Sequence, residues 1–391
     1  MSLRIAVVSD LHCHPPRETG NASYLLTVAP RVPANTHPVQ SLHELIAKED
    51  LKCDILALPG DFTDRADHAG FVVGVHNVRE IAQKLGAETI LACLGNHDID
   101  SRKQSSQDPF YLGDQLFPDF PLVDPDEKCR FFQSGYAIVE GENWRCLIVN
   151  SVYQHTDLQS AKRGILTEPQ LEAIRRTLEQ LERKPIQICL SHHHPLRHEE
   201  VDLEDHDLMQ GGDRLLNILE VAGFGLVIHG HKHHPRLRYS SAGAAHPIPV
   251  FSSGSLSAII SDRMSRSVRN TFHIIELNAA NERIPAVHGQ IWTWEFSAIK
   301  GWLPSTAQSA GISSQTGFGA RIHPQDLARE VEATFGESKW MEWSLVTDRV
   351  DHLKYTTPND LRSLAEILQA KEILMKPSEL QPEYLGRRSG Q

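Results

Sequence analysis

Side chains that can bind metals or transfer protons occur in five short clusters, and each cluster directly follows an apolar run. The clusters are Asp10-Leu11-His12, Gly60-Asp61, Gly95-Asn96-His97-Asp98, Ser191-His192-His193-His194-Pro195 and His229-Gly230-His231-Lys232-His233. Their carboxylate, imidazole and carboxamide groups suit hard or borderline divalent cations, and the clusters contain no thiolate. Bound divalent cations are widely used to activate water for hydrolysis. The residue types therefore predict a metal-dependent hydrolytic site.

The apolar runs that precede the clusters have the length and composition of buried β-strands. They cover residues 5–9, 55–58, 89–94, 186–190 and 226–228. In open α/β sheets, ligands bind in the crevice beyond the carboxyl ends of the strands. Strands that end on a common edge would bring the clusters to one crevice, so we expect their polar side chains to meet there.

Helical segments alternate with these strands. Ser41 with Glu44, and Thr167 with Gln170, have the spacing of capping boxes, so helices are predicted to begin near Ser41 and Thr167. Further helices are predicted at about 68–85 and 214–222. The β–α–β rhythm is typical of helices that cover the faces of a sheet.

Additional strand-like runs indicate a second sheet. They cover residues 136–139, 145–150, 236–240, 249–252, 271–277 and 291–296. A second sheet packed on the first predicts an α/β fold in which a β-sandwich is flanked by helices.

The character of the chain changes after about residue 297. We predict a main domain over residues 1–297 and a partly helical C-terminal extension over 298–391, with amphipathic helices near 324–335 and 358–369. The extension could act as a lid, as a partner-binding module or as an arm that forms a homo-oligomer.

Three long segments show neither a strand nor a helix pattern, at residues 13–37, 100–130 and 196–213. Loops of this length in a compact domain are usually functional, so we expect them to contact the substrate. The acidic run at 199–207 fits either a solvated rim or an additional metal site.

Length, charge and cysteine usage narrow the class of protein. A chain of 391 residues can form one large domain with an appendage. The net charge of −11 argues against a nucleic-acid partner, because a protein surface that binds nucleic acid usually carries clustered Lys and Arg. The six cysteines lack CxxC spacing. No signal-length apolar segment occurs at the N-terminus, and no run approaches the roughly 18 apolar residues of a membrane span. We therefore expect a cytoplasmic enzyme without a membrane partner.

The ordered series DxH, GD, GNHD, HHHP and GHxH closely resembles the calcineurin-like metallophosphoesterase superfamily over residues 3–255. The resemblance implies a four-layer α/β/β/α sandwich of two mixed sheets flanked by helices. It also implies two divalent metal ions, and oxygen and nitrogen ligands admit manganese, iron or zinc. The ligands implied for one ion are Asp10, His12, Asp61 and His233. Those implied for the other are Asp61, Asn96, His192 and His231, with Asp61 bridging the two ions.

The resemblance further implies in-line attack on phosphorus by a hydroxide that bridges the metals. His97 would lie near the leaving oxygen as a general acid or a charge stabiliser. Residues 60–65 are similar to the GDxxDR run of the serine/threonine phosphatase branch, in which the Asp supports the catalytic His and the Arg touches phosphate. By this similarity Asp64 and Arg65 take those roles. Asp98 is the alternative carboxylate for His97, and Arg65 could equally be a surface charge.

Two motifs separate the chain from the serine/threonine phosphatase branch. That branch has GNHE where this chain has GNHD, and HHHP and GHKH resemble the small-molecule phosphodiesterase branch, which includes cyclic-nucleotide and glycerophosphodiester hydrolases. We therefore expect a small phosphodiester substrate such as a cyclic nucleotide. A phosphomonoesterase or protein phosphatase, a nuclease and an inactive scaffold are the alternatives. Within HHHP, His193 and His194 are alternatives to His192 as the ligand.

Overall fold

Two mixed β-sheets lie face to face, and helices cover the outer face of each sheet. The computed structural model describes residues 1–18, 20–28, 33, 36–103, 106–197, 207–240, 247–260, 268–306 and 312–388. This arrangement confirms the predicted four-layer α/β/β/α sandwich.

The first sheet has seven strands. They are β1 (Ser2–Val7), β2 (Ile55–Leu58), β3 (Thr89–Ala92), β10 (Thr271–Asn278), β11 (His288–Ser297), β12 (Gly301–Pro304) and β13 (Gln315–Phe318). Their order is β12-β11-β10-β1-β2-β3, and β13 pairs with another part of β11. The pairs β1–β2 and β2–β3 are parallel, so these three strands end at the same edge of the sheet.

The second sheet has six strands. They are β4 (Tyr136–Glu140), β5 (Trp144–Val149), β6 (Ile186–Ser191), β7 (Leu226–His229), β8 (Pro235–Tyr239) and β9 (Pro249–Ser253). Their order is β4-β5-β6-β7-β9-β8, with parallel pairing from β5 through β9 and antiparallel strands at both edges. Parallel strands β6 and β7 again end together.

Side chains that alternate along the strands of the second sheet contribute to two separate hydrophobic layers. In β5, Cys146 and Ile148 face the first sheet, whereas Leu147 and Val149 pack beneath the outer helices. This period of two is what a sheet covered on both faces requires. The strands are therefore apolar on both sides, and polar side chains are left to the strand ends.

Each sheet has its own pair of covering helices. The helices of the first sheet are α1 (Pro38–Glu49) and α2 (His68–Leu85), and those of the second are α5 (Glu168–Gln180) and α6 (Gly212–Ala222). The limits of α2 match the prediction. In α5 the Gln170 side chain accepts a hydrogen bond from the Thr167 N–H at 2.9 Å, as the capping signature predicts.

Two local predictions were wrong. Helix α1 begins at Pro38 with His37 as its N-cap, because Pro at the first turn and the His37 side chain start the helix before Ser41. The segment 100–130 contains helix α3 (Tyr111–Gln115) and the start of α4 (Pro125–Ser134), which Asp124 caps. Both helices are short, so their periodicity is weak.

The C-terminal residues form a small unit with its own hydrophobic cluster. Its elements are α7 (Pro324–Phe335), α8 (Trp343–Arg349), α9 (Pro358–Gln369), β14 (Trp340–Glu342), β15 (Ile373–Pro377) and β16 (Pro382–Arg387). The two predicted amphipathic helices are confirmed as α7 and α9. The boundary at residue 297 stays a prediction, since β12 and β13 lie beyond it and still pair with β11.

Among the described residues, none of the helices combines the length and apolar composition that a membrane crossing requires.

A buried histidine joins the two sheets. His273 of β10 donates from Nε2 to the Ser253 carbonyl oxygen of β9 at 2.7 Å, and its Nδ1 accepts from the Thr293 hydroxyl at 2.9 Å. Burial lowers the pKa of His273 to about 4, and its hydrogen bond to the Ser253 carbonyl only partly opposes this effect. The ring is therefore a neutral cross-link between the sheets.

We expect His273→Gln to change how stability depends on pH. Below its ordinary pKa of 6.5 the unfolded chain binds a proton at His273, which the folded protein excludes until about pH 4. Stability contributed by the neutral ring is thus present above pH 6.5 and is lost as pH falls, by up to about 1.4 kcal/mol per pH unit. Urea unfolding across this range should give a shallower pH slope for the variant. Equal slopes for the two proteins would contradict the assignment.

Candidate metal centre

The predicted ligands meet where strands of both sheets end. Those that follow β1, β2 and β3 of the first sheet are Asp10, His12, Asp61 and Asn96. Those that follow β6 and β7 of the second sheet are His192, His231 and His233. The Asp10 carboxylate accepts the His231 backbone N–H, at 3.1 Å from Oδ1 and 3.2 Å from Oδ2. The two halves of the site are therefore joined directly, one from each sheet.

Asp10, His12 and His233 form the first donor group. His12 Nε2 lies 3.0 Å from His233 Nε2, which lies 3.2 Å from Asp10 Oδ1. Burial lowers the pKa of His12 well below its usual value, so the ring is neutral and offers a lone pair. Two imidazole nitrogens and a carboxylate oxygen that converge in this way fit a divalent cation.

Asn96, His192 and His231 form the second donor group. Asn96 Oδ1 lies 3.0 Å from both His192 Nε2 and His231 Nδ1, and these two nitrogens are 3.2 Å apart. His192 donates from Nδ1 to the Pro59 carbonyl oxygen at 2.7 Å, which leaves its Nε2 free to donate a lone pair. Burial lowers the pKa of His192 to about 3. This group also fits a cation.

Asp61 lies between the two groups. Its Oδ2 is 3.5 Å from His12 Nε2 and 3.4 Å from His192 Nε2. Burial and the neighbouring carboxylates of Asp98 and Asp10 raise the pKa of Asp61 well above its usual value. A carboxylate in this environment is stabilised by nearby positive charge, which a cation in each donor group would supply. Its position fits the bridging role implied by the sequence motifs.

The backbone is left-handed at most of the predicted ligands. Residues with positive φ are Asp10 (53°), His12 (48°), Asp61 (58°), His231 (71°) and His233 (52°). Such conformations cost about 1–3 kcal/mol each in non-glycine residues and persist where the surrounding structure enforces them. They turn the chain sharply after each strand, so alternate side chains can point to the same place.

Asp98 holds the Asp61 loop through the backbone. Its carboxylate accepts the N–H groups of Asp61, Phe62, Thr63 and Gly95 at 2.8–3.1 Å. Burial nevertheless raises the pKa of Asp98 to about 7, against the effect of these hydrogen bonds. Asp98 thus shapes the loop and is not the partner of His97.

His97 is oriented by Asp64, the other carboxylate that the sequence offered. His97 Nδ1 donates to Asp64 Oδ1 at 2.7 Å, and Arg17 Nη2 donates to Asp64 Oδ2 at 2.5 Å. Burial opposes ionisation of Asp64, but its bonds to His97 and Arg17 outweigh this effect and lower its pKa. The His97 ring meets the His12 ring edge-on, with centroids 4.6 Å apart. His97 therefore lies directly beside the first donor group.

Arg17 lies closer to this carboxylate than Arg65 does. Arg65 Nε is 3.8 Å from Asp64 Oδ2, and its side chain is 64% exposed, compared with 29% for Arg17. Arg65 has φ 57°, so the chain turns at this residue. Arg17 was missed by sequence reasoning because it lies in the loop at 13–37, outside any motif.

The remaining histidines of HHHP have different surroundings. His193 Nδ1 is 2.9 Å from the Ser151 hydroxyl, and its buried Nε2 has no hydrogen-bond partner among the described residues. His194 Nε2 lies 3.7 Å from Asp207 Oδ1. His192 alone of the three lies against both Asn96 and Asp61 in the described residues, which supports the predicted ligand. The acidic residues 199–206 lie outside the described residues.

A comparison with protein families agrees with this arrangement of two donor groups, Asp61 and His97. The family model described as calcineurin-like phosphoesterase matches residues 3–235. The chain belongs to this family. The matched residues include both donor groups, Asp61 and His97.

Three solved structures resemble this calcineurin-like phosphoesterase. The lupin (Lupinus luteus) purple acid phosphatase PPD1 is 14% identical, with 77% of this chain and 52% of that chain covered and a TM-score of 0.48. A conserved uncharacterized protein of Streptococcus pneumoniae, described as a predicted phosphoesterase, is 11% identical, with coverages of 81% and 98% and a TM-score of 0.33. Thermus thermophilus sulfate thiohydrolase SoxB, in complex with glycerol, is 12% identical, with coverages of 86% and 68% and a TM-score of 0.33.

The chain thus spans about half of the lupin phosphatase. No curated protein sequence matches the chain. All three TM-scores lie below 0.5, so membership rests on the family model.

We expect Gly95→Ala to lower the metal content of the protein. A Cβ at Gly95 would lie 2.1 Å from Asp61 Oδ1, so the Asp61 carboxylate must move. Gly86→Ala is the control for a new Cβ away from the site. Its Cβ would meet nothing closer than 3.9 Å among the described residues, and Gly86, unlike Gly95, has positive φ (68°). The control should lose about 1 kcal/mol of stability, because left-handed backbone strains a residue that carries a Cβ, and it should keep its metal. Metal analysis of both folded variants tests this, and equal metal content would contradict it.

Proposed function

We propose that this chain is a two-metal phosphoester hydrolase that acts on a small phosphodiester such as a cyclic nucleotide. The observation that supports this most directly is the convergence of two donor groups on a shared Asp61, with His97 beside them. When bound, two divalent cations supply Lewis acidity at the phosphoryl oxygens and a nucleophilic water at neutral pH. The first donor group and Asp61 would hold one cation, and the second donor group and Asp61 the other.

The residues beside the metals would position a proton donor for the leaving group. The bond from His97 Nδ1 to Asp64 fixes the ring and leaves Nε2 towards the leaving oxygen. A ring protonated on both nitrogens can give its Nε2 proton to that oxygen and keep the Nδ1–H bond to Asp64. Arg17 holds the second oxygen of Asp64, so the carboxylate cannot rotate away from His97. Asp64 and Arg17 therefore position His97 rather than react.

Charge near His97 supports a diester over a monoester. Arg17 is paired with Asp64 at 2.5 Å, and Arg65 is largely exposed. Both arginines described beside Asp64 already face its carboxylate, so neither is an unpaired cation that could meet the second negative charge of a monoester. The HHHP and GHKH motifs favour the same branch.

We further propose that the bound metals are manganese, iron or zinc and that the enzyme lies in the cytoplasm. Nitrogen and oxygen donors admit manganese, iron or zinc. All six cysteines are free thiols, which supports a reducing compartment such as the cytoplasm.

We expect metal-dependent hydrolysis of bis-p-nitrophenyl phosphate, faster than that of p-nitrophenyl phosphate. The protein is purified without chelator, loaded with manganese, iron or zinc, and assayed with both esters and a panel of cyclic nucleotides. Chelation should abolish turnover, because both donor groups need their cations. An absence of metal-dependent diester turnover would refute the proposal, and less than one equivalent of metal in the wild type would favour a scaffold.

His97→Ala should affect poor leaving groups more than good ones. A general acid matters when the leaving oxygen must be protonated, and its loss typically costs about 10²- to 10⁴-fold. p-Nitrophenolate departs without a proton, so the loss of kcat should be large for a cyclic nucleotide and small for the p-nitrophenyl diester. Equal losses on the two substrates would instead indicate a charge-stabilising role.

A phosphomonoesterase is the second candidate, and the GDxxDR run favours it. If Arg65 holds a monoester, Arg65→Ala should raise KM for p-nitrophenyl phosphate and leave the diester unchanged. We expect no such change, because the Arg65 side chain points to solvent. A selective monoester defect in Arg65→Ala would support this alternative over the diesterase.

A further inference from the structure

Asp207 reaches the second donor group from outside the five motifs. Its Oδ2 lies 2.8 Å from His231 Nε2, and its Oδ1 accepts from Lys232 Nζ at 2.6 Å. The carboxylate is largely buried, with 14% of the side chain exposed. Sequence reasoning treated this residue as part of an acidic rim or an extra metal site, because nothing in its spacing relates it to His231.

The contact determines which nitrogen of His231 can bind a metal. A neutral imidazole has one N–H and one lone pair, and a carboxylate acceptor holds the N–H on its own side. With Nε2–H directed at Asp207, the lone pair remains on Nδ1. This Nδ1 is the atom that lies 3.0 Å from Asn96 Oδ1 and 3.2 Å from His192 Nε2. The geometry therefore joins the outer carboxylate to the metal-facing atom through one ring.

The two histidines of the second donor group are oriented by different partners. His192 donates to the Pro59 carbonyl oxygen, a backbone group that no side-chain substitution removes. His231 donates to Asp207, a side chain. The orientation of His231 is thus the one in this pair that a single substitution can release.

The surroundings of Asp207 argue against its being a ligand of a further metal. His194, Asp207 and His231 do lie close enough together to hold an ion. However, both oxygens of Asp207 already face hydrogen-bond donors, and one donor is the Lys232 ammonium group. A bound cation at this carboxylate would have to displace that positive charge or lie beside it.

We propose that Asp207 is a positioning residue that fixes His231 in the tautomer whose Nδ1 faces the second metal. The inference rests on the proposed function for the presence of that metal. Lys232 orients the carboxylate by occupying its other oxygen. Loss of an outer partner of this kind typically lowers metal affinity by about 10- to 100-fold.

The test compares Asp207→Ala and Asp207→Asn with Asp213→Asn in the full chain. Asp213 is exposed in the first turn of α6, so its variant controls for the loss of one negative charge. Zinc binding is measured by equilibrium dialysis. We expect Asp207→Ala to bind its second equivalent about 10- to 100-fold more weakly and its first equivalent normally. Asp207→Asn keeps an acceptor oxygen and should be affected less, and the control should match the wild type.

The tautomer of His231 is read separately by ¹⁵N NMR of the imidazole nitrogens, with His231→Gln used to assign its signals. The wild type should show Nε2–H, and Asp207→Ala should show a shift toward Nδ1–H. This readout needs neither activity nor metal, so it tests Asp207 even if no phosphoester is hydrolysed. An unchanged tautomer with unchanged zinc affinity would overturn the inference. So would the loss of a third zinc equivalent, because Asp207 would then be a ligand. If Asp207→Ala does not fold, Asp207→Asn supplies both measurements.

Discussion

The crowding of buried carboxylates around Asp61 is the constraint on which the site depends. Burial, Asp98 and Asp10 all oppose the ionisation of Asp61. Hydrogen bonds to the carboxylates of Asp98 and Asp61 partly offset this effect. Asp98 is satisfied by four backbone N–H groups, and Asp61 Oδ1 accepts the His97 N–H at 2.8 Å. Asp61 Oδ2 is left facing histidines from both donor groups. The loops thus bring buried carboxylates together where cations are expected to bind.

This arrangement requires two sheets whose strands end at one place. Each sheet supplies only part of the ligands, so neither could form the site alone. Their relative position is set by a shared apolar core and by buried polar links such as the His273 bond to Ser253. Asp10 adds a link within the site, because its carboxylate accepts the His231 backbone N–H. Packing between the layers therefore also determines the geometry of the candidate metal site.

The sequence predicts those features of the fold and the site that are encoded within one segment of the chain. It does not predict contacts between distant segments. Helix α2 and the strand ends were predicted because their apolar periodicity and their clusters lie within one segment. The choice between Asp64 and Asp98 as the partner of His97 needed the structure, since both are close in sequence to a motif. Arg17 and Asp207 were missed as members of the site for another reason. Each lies in a long loop, and its partner is chosen by tertiary contact that spacing does not record.

The left-handed backbone at five predicted ligands favours side chains with oxygen and nitrogen donors. Outside glycine, such backbone is best tolerated by Asn, Asp and His, whose donors are oxygen and nitrogen. Branched side chains are strained there before any chemistry is considered, and thiolate or longer carboxylate donors lack the same backbone preference. The left-handed backbone thus favours some ligand residue types over others. Replacement of these ligands by thiolates for a soft metal would add backbone strain, and exchange among hard and borderline metals would not.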